Sequence, residues 1–332
     1  MKKYLAILLA SIITMFTIGC TETNEEKVTV KVNEVTHSIF YAPFYIAIEG
    51  GFFEKEGITI ELTNGGGSDA SMTALLSGGC EIALLGPETG IYTYLGNPND
   101  MPLIIGQLTK RDGSFLMARE PDENFTWSKL SEKEIIAGRR GGSPAMSLEY
   151  ALNKNNLFNG ENVTLNFDVQ FNLTAAAFVG GTGDYVTMFE PVASEYQREG
   201  KAFIVASVGE ESGEIPFTCF MAKESYLKSN LSTVTKFAKA MYNAIDFIEK
   251  NTVEDVAKVL INAFPATSLE SVKDSLISYK KIDAWQKDLI MSESAFTKLQ
   301  DVMENAGELN ERVPFDKLVD TSIFEMVYED II

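Results

Sequence analysis

Strand-like and helix-like segments alternate between residues 27 and 86. The first segment alternates valine with polar residues, which is typical of a strand with one buried face. Helical spacing over 42–49 and 69–77, each run closed by paired glycines, predicts two helices. Short apolar-rich runs at 58–62 and 81–86 predict two further strands. This order of elements predicts a parallel α/β sheet.

A second α/β pattern starts at residue 134. Strand-like runs at 134–138, 163–169 and 184–189 are separated by helix-like segments, and the chain from Lys223 onward has the spacing of amphipathic helices. Because 332 residues exceed what one hydrophobic core usually serves, two units are expected. No linker rich in Pro, Gly or Ser separates the two patterns. The prediction is an α/β fold of two lobes with a C-terminal helical portion, joined by extended strands.

The first twenty residues have the pattern of an export signal. Two lysines precede an apolar stretch, residues 4–18, which is too short to span a membrane comfortably. Cys20 follows a small residue just beyond that stretch, which resembles a bacterial lipobox in which Thr17 replaces the usual Leu. We therefore expect a signal peptide at 1–19, lipidation of Cys20 and a polar tether at 20–26. The alternative is an ordinary signal peptide with an incidental cysteine.

The balance of charged residues and the scarcity of histidine exclude several classes of function. The chain has 28 Lys and Arg residues against 47 Asp and Glu residues, a net charge of −19, so no nucleic-acid partner is expected. Because His37 is the one histidine, a multi-histidine metal site is excluded and any histidine-dependent catalysis must use this residue. Cys80 and Cys219 could form a disulfide, although two buried, unpaired thiols are the simpler interpretation. No metal and no cofactor are predicted.

Several motifs, in order along the chain, resemble those of one family of transport proteins. They are the segment from His37 to Ala47, the run Ala74-Leu75-Leu76-Ser77-Gly78, the turn Gly86-Pro87-Glu88-Thr89, the stretch from Gly180 to Pro191 and the segment from Gly213 to Thr218. With these motifs the chain resembles the substrate-binding proteins of ABC importers, in the branch for nitrate, sulfonates, taurine and thiamine-pyrimidine precursors. The resemblance covers essentially the whole chain after the signal peptide.

The resemblance implies a fold, a cellular role and a set of partners. The fold is the two-lobed Venus flytrap of type 2 periplasmic binding proteins, with lobe one at 27–117 and 217–332 and lobe two at 118–216. Two strands, near 113–119 and 217–222, would form the hinge. The implied role is an extracytoplasmic receptor, held to the bacterial cell membrane by its lipid anchor. It would deliver a small organic solute to an ABC permease and its ATPase subunits.

Ligands of open α/β sheets collect where strands end and loops turn into helices, and four such turns carry the candidate binding residues. The first turn offers Phe40 and Tyr41 as a stacking wall. In the same turn His37 could donate to a ligand oxygen or serve as a structural histidine. The second turn, Gly65-Gly66-Gly67-Ser68, places a glycine-rich loop and Ser68 as a helix N-cap, where free N–H groups attract anions.

The third and fourth turns lie in the second α/β pattern. Arg139-Arg140-Gly141-Gly142-Ser143 repeats the glycine loop with two arginines and Ser143 as N-cap, so we expect one arginine to bind an anion rather than only solvent. Glu190 follows a strand and could accept from an amine or cap a helix, and Arg111 is a weaker candidate. The candidate ligand-binding residues are His37, Ser38, Phe40, Tyr41, Gly66, Gly67, Ser68, Pro87, Glu88, Arg111, Arg139, Arg140, Gly142, Ser143 and Glu190.

These residue types predict a mixed ligand with a flat or apolar body, an anionic or strongly accepting end and room for an amine. Sulfonates, taurine-like solutes and pyrimidine precursors fit that description, and bare nitrate fits it least. The competing hypothesis is an enzyme, similar to the pyrimidine-precursor synthases that share this fold and that carry an active-site histidine and a cysteine-rich motif. Cys20, Cys80 and Cys219 form no such cluster in the sequence, so a binding protein without catalysis is predicted.

Overall fold

The computed structural model describes residues 27–331, so the predicted signal peptide, Cys20 and the tether lie outside the described residues. Residues 27–331 form ten strands and fifteen α-helices. The strands are β1 Val28–Glu34, β2 Ile58–Asn64, β3 Ile82–Leu85, β4 Pro102–Thr109, β5 Ser114–Ala118, β6 Glu134–Ile136, β7 Thr164–Asn166, β8 Tyr185–Phe189, β9 Phe203–Ser207 and β10 Thr218–Lys223. The helices are α1 Ala42–Glu49, α2 Phe52–Lys55, α3 Ser68–Ser77, α4 Glu88–Leu95, α5 Ser143–Lys154, α6 Thr174–Val179, α7 Val192–Arg198, α8 Val208–Ser212, α9 Glu224–Ser229, α10 Leu231–Lys250, α11 Val253–Leu260, α12 Leu269–Lys281, α13 Glu293–Asn305, α14 Phe315–Leu318 and α15 Ser322–Ile331.

The first sheet has the strand order β2-β1-β3-β10-β4. β1 pairs in parallel with β2 and with β3, as the alternation of elements predicts. β10 runs antiparallel to both of its neighbours, β3 and β4, so the sheet as a whole is mixed although its first three strands are parallel. The physical reason is that the chain enters β10 from the second sheet and not from a helical crossover beside β3.

The second sheet has the order β7-β6-β8-β5-β9 and repeats this arrangement. β6 is parallel to β7 and β8, whereas β5 is antiparallel to β8 and β9. All five residues of β5 pair in this sheet, so the predicted lobe boundary at residue 117 falls inside a strand of the second sheet. In each sheet, the fourth strand in the order is the one that the chain forms directly after it crosses from the other sheet. This strand is β10 in the first sheet and β5 in the second.

The chain passes between the sheets twice, after β4 and after α8, and the two crossings contact each other. The N–H of Ile215 donates to the backbone oxygen of Lys110 at 2.9 Å. The Glu214 carboxylate pairs with Lys110 at 3.5 Å and with Arg111 at 3.1 Å. Arg111 therefore ties one crossing to the other and does not line the cavity at the carboxyl ends of the parallel strands.

Asp112 lies in the first crossing and is fully buried. Its Oδ1 accepts from the N–H of Ser114 at 2.6 Å, and burial raises the pKa of the Asp112 carboxyl to about 7. Gly209, in α8, lies directly against the Asp112 backbone. The crossings are thus held by close backbone packing as well as by ion pairs.

The C-terminal helices cover the first sheet. Phe237, Met241, Ile245 and Ile248 of α10 are all buried, as their helical spacing predicts. The ring of Phe237 packs 5.2 Å from that of Phe220 in β10, centroid to centroid. Cys80 and Cys219 are both buried and unpaired. Among residues 27–331, no helix combines the length and apolar character needed to cross a membrane.

Candidate functional site

A cavity of about 350 Å³ lies at the carboxyl ends of the parallel strands of both sheets. Loops after β1, β2 and β3 line one side, and loops after β6, β7 and β8 line the other. The lining residues are Val35, Thr36, Tyr41, Gly66, Gly67, Ser68, Asp69, Gly86, Glu88, Arg139, Gly142, Ser143, Pro144, Phe167, Asp168, Val169, Gln170, Phe171, Asn172, Phe189, Phe217 and Thr218. This is the position at which open α/β sheets bind ligands.

The structure brings eight of the candidate binding residues to this cavity and leaves seven elsewhere. The eight that line it are Tyr41, Gly66, Gly67, Ser68, Glu88, Arg139, Gly142 and Ser143. The seven that do not line it are His37, Ser38, Phe40, Pro87, Arg111, Arg140 and Glu190. The glycine turns of both α/β patterns therefore face one another across the cavity.

The two serines predicted as N-caps occupy a different helical position. Gly67 is the N-cap of α3 and Gly142 is the N-cap of α5, so Ser68 and Ser143 are the first helical residues. Their hydroxyls bond away from their own helices: Ser68 Oγ accepts from the N–H of Gly86 at 3.2 Å. The caps are glycines, and the first-turn N–H groups of both helices point toward the cavity.

Glu88 is the buried carboxylate of the site. It is the first residue of α4, is 1% exposed, and its Oε2 accepts from Ser143 Oγ across the cavity at 2.5 Å. Arg139 Nη2 lies 3.7 Å from Glu88 Oε1, and Arg139 Nε lies 4.0 Å from Asp69 Oδ1. Burial raises the pKa of Glu88, while the Ser143 hydrogen bond and the Arg139 charge act in the opposite direction.

Aromatic side chains form the apolar part of the cavity. Tyr41, Phe167, Phe171, Phe189 and Phe217 line it, so of the two residues predicted as a stacking wall only Tyr41 reaches the cavity. Phe40 is fully buried beneath the cavity, because its ring packs against other rings instead of facing open space. Its partners are Phe189 and Phe217 at 5.7 Å and Tyr279 at 5.0 Å, centroid to centroid.

Sequence reasoning missed Phe171, Phe189 and Phe217 as lining residues. Phe189 ends β8 and Phe217 immediately precedes β10, which are strand-end positions. Their position at strand ends could have identified them as lining residues. The same strand-end argument selected Glu190, the neighbour of Phe189.

His37 lies outside the cavity lining and bonds to other parts of the protein. Its Nε2 donates to the backbone oxygen of Ala263 at 2.8 Å, since a carbonyl can only accept. Its Nδ1 lies 3.0 Å from Glu34 Oε1, and this hydrogen bond raises the pKa of His37. Both ring nitrogens are therefore engaged outside the cavity. Ser38 is likewise engaged, with its Oγ accepting from the N–H of Phe40 at 3.2 Å.

Glu190 caps a helix instead of facing the cavity. Its carboxylate accepts from the N–H and the hydroxyl of Ser194 at 3.0 and 2.7 Å, and from Ser278 Oγ at 3.1 Å. Arg140 does not line the cavity itself, and it places its guanidinium 4.1 Å from the ring centroid of Phe167, which does. Pro87 is buried and supplies the backbone that leads into α4.

Comparison with known proteins places this fold and sequence among binding proteins. The sequence profile of a family described as the NMT1-like family matches residues 22–262. A curated protein of Bacillus subtilis (strain 168), named "Putative binding protein YtlA", is 42% identical over 317 residues, covering 96% of this chain and 95% of that protein.

Two solved structures have the same fold. One is the alkanesulfonate-binding protein SsuA from Xanthomonas axonopodis pv. citri bound to MOPS, with a TM-score of 0.72, 17% identity, and coverage of 89% of this chain and 99% of that chain. The other is the periplasmic nitrate-binding protein NrtA from Synechocystis PCC 6803, with a TM-score of 0.70, 15% identity, and coverage of 92% and 89%. The predicted α/β fold of periplasmic binding proteins is confirmed by these similarities.

Proposed function

The chain belongs to the NMT1-like family, and from this membership and the cavity we propose that it is the extracytoplasmic substrate-binding lipoprotein of an ABC importer. The proposed ligand is a small organic solute: a sulfonate, a taurine-like compound or a pyrimidine precursor. The observation that carries this proposal is the cavity at the ends of both sheets. Helix N-termini, Arg139, Glu88 and aromatic side chains line this cavity. The partners in this proposal are the permease and ATPase subunits of the importer.

We assign the two sheets to two lobes that divide at the crossings after β4 and after α8, so that β5 belongs to the second lobe and β10 to the first. A solute in the cavity would contact Tyr41 and Ser68 from the first lobe and Arg139 and Phe171 from the second. The closed arrangement then gains contacts that an open one lacks, which drives closure on binding.

A synthase-like enzyme on the same fold is the second candidate, and it has less support. Catalysis by the histidine would require His37 at the ligand, and both of its ring nitrogens are bonded elsewhere. Burial raises the pKa of Cys80 to about 11 and also raises the pKa of Cys219 well above its ordinary value, so neither thiol forms a thiolate readily. These features favour binding without chemical conversion.

A thermal-shift screen tests the proposed function. We expect at least one member of a panel of alkanesulfonates, taurine and aminopyrimidines to raise Tm by about 5 °C at a hundredfold excess over Kd, because binding stabilises only the folded state. Mass spectrometry should recover that solute unchanged after incubation. Conversion of the solute would favour the enzyme, and a panel without any stabilising solute would contradict the receptor.

The lipid anchor gives a separate prediction. If Cys20 is lipidated, Cys20→Ser should move the protein from the membrane fraction to the soluble extracytoplasmic fraction, because residues 27–331 offer no membrane-spanning helix in its place. Immunoblots of the two fractions measure this, with Cys80→Ser as the matched control that stays with the membranes. A Cys20→Ser protein that remains membrane-bound would contradict the anchor.

A further inference from the structure

We propose that the cavity selects solutes carrying a protonated nitrogen, and that Glu88 is the residue that recognises it. This inference rests on the proposed binding function and narrows the class of its ligand. It departs from the expectation of an oxyanion at the glycine turns that open α3 and α5, because the Glu88 carboxylate already bonds to Ser143 at the start of α5.

The first step is the position of the Glu88 carboxylate. It lies at the start of α4, and across the cavity it accepts from Ser143 Oγ at the start of α5. The positive ends of α4 and α5 therefore already face a carboxyl group that belongs to the chain. A solute oxyanion would have to displace a buried carboxylate that is 1% exposed.

The second step is the charge balance of the lining. Arg139 is the one basic residue among the lining residues, and Asp69, Glu88 and Asp168 are the acidic ones. Arg139 lies within 4.0 Å of both Asp69 and Glu88, so its charge is already offset by two carboxylates. The cavity as a whole therefore repels a simple anion and attracts a cationic group.

The third step is the surroundings of Glu88 Oε1, in a carboxylate that already accepts from Ser143 Oγ and from the backbone N–H groups of Glu88 and Ser143. Buried carboxylates are costly unless several donors satisfy them. The Arg139 nitrogen nearest to Glu88 Oε1 stands at 3.7 Å, beyond hydrogen-bond distance. An ammonium or protonated ring nitrogen in the cavity could donate to Oε1 and form a charge-assisted hydrogen bond.

The fourth step is the aromatic wall. Tyr41, Phe171, Phe189 and Phe217 present rings to the same cavity. The faces of such rings attract organic cations. Among residues 27–331, no three His, Cys, Asp or Glu side chains are grouped to hold a metal ion, so these carboxylates do not form a metal site. An organic cation or zwitterion with an apolar body matches both the charge and the walls.

The experiment compares matched solutes that differ in a protonated nitrogen. Calorimetry on the wild-type protein would use taurine against ethanesulfonate and benzylamine against benzyl alcohol, with nitrate as the bare anion. In each pair, we expect the solute with the amine to bind at least about tenfold more tightly than the solute without it. One charge-assisted hydrogen bond contributes a difference in affinity of this size. Tighter binding of ethanesulfonate or nitrate would overturn the inference while leaving the receptor proposal intact.

Variants then assign the preference to Glu88. Glu88→Gln keeps the shape and the acceptor for Ser143 but removes the charge, and should weaken amine binding by about ten- to a hundredfold. Glu199→Gln, an exposed carboxylate outside the cavity, is the matched control and should bind as the wild type does. Equal amine affinity in Glu88→Gln and wild type would overturn the role of Glu88.

The comparison remains decisive if Glu88→Gln fails to fold. The comparison of matched solutes needs only the wild-type protein. A second variant, Asp69→Asn, changes an exposed residue near Arg139. In this variant the affinity for the amine should fall by about threefold or more. If no solute of any charge class stabilises the wild type in the thermal-shift screen, the receptor proposal itself fails, and that outcome differs from an anion preference.

Discussion

Gly209→Ala should lower the free energy of unfolding by about 3 kcal/mol or more, because it forces the two crossings apart. A Cβ built on Gly209 would lie 2.1 Å from the backbone oxygen of Asp112. That oxygen belongs to buried backbone and cannot swing away as the end of a flexible side chain could. The strain would fall on the segment that joins both sheets, so neither sheet could relax alone.

Urea and thermal unfolding of purified protein measure this loss, and Gly200→Ala is the matched control. Gly200 has a φ of +67° but nothing within 4 Å of a built Cβ, so its replacement should cost only about 1 kcal/mol of backbone strain. Equal unfolding midpoints for the two variants would show that the crossings are not packed as closely as described here.

Phe40→Ala should cost about 3–5 kcal/mol of stability, the usual range for removing a fully buried aromatic ring. Phe40 is 0% exposed, and the Trp285 indole N–H donates to its backbone oxygen at 2.9 Å. Its ring contacts Phe189, which ends β8 of the second sheet, and Phe217, which immediately precedes β10 of the first sheet. The lost contacts therefore include those that connect the two sheets below the cavity.

Phe171→Ala is the contrasting variant, since Phe171 is only partly buried and faces the cavity. It should change stability by less than about 1 kcal/mol and weaken solute binding instead. Chemical denaturation measures the first effect and calorimetry the second. If Phe40→Ala were as stable as wild type but bound solute weakly, Phe40 would be the stacking residue that its sequence position suggested.

The local elements of the first unit could be predicted closely from the sequence. The predicted helix over 42–49 matches α1, and the predicted helix over 69–77 is one residue shorter than α3. Periodicity and paired glycines are local signals, and they specify a helix without reference to the rest of the chain. The antiparallel insertion of β5 and β10 has no such signal, because it depends on which sheet a distant strand joins.

The candidate site divides in the same way. The glycine turns and Arg139 could be found because a turn after a strand and before a helix faces the ligand edge of a sheet. The choice between Glu88 and Glu190 could not be made, since both carboxylates follow a buried strand. The Ser194 and Ser278 hydroxyls bond to the Glu190 carboxylate away from the cavity, and Ser278 lies 88 residues farther along the chain.

The exchange of strands between the sheets imposes an order on biosynthesis. β4 lies at the edge of the first sheet and its neighbour there is β10, which leaves the ribosome only after the whole of the second sheet has been made. A nascent chain can therefore complete the second sheet once residue 207 has emerged, while β3 and β4 still expose unpaired edges. Those edges invite wrong strand pairing until β10 fills the gap between them. The first sheet therefore stays incomplete until residues 218–223 arrive.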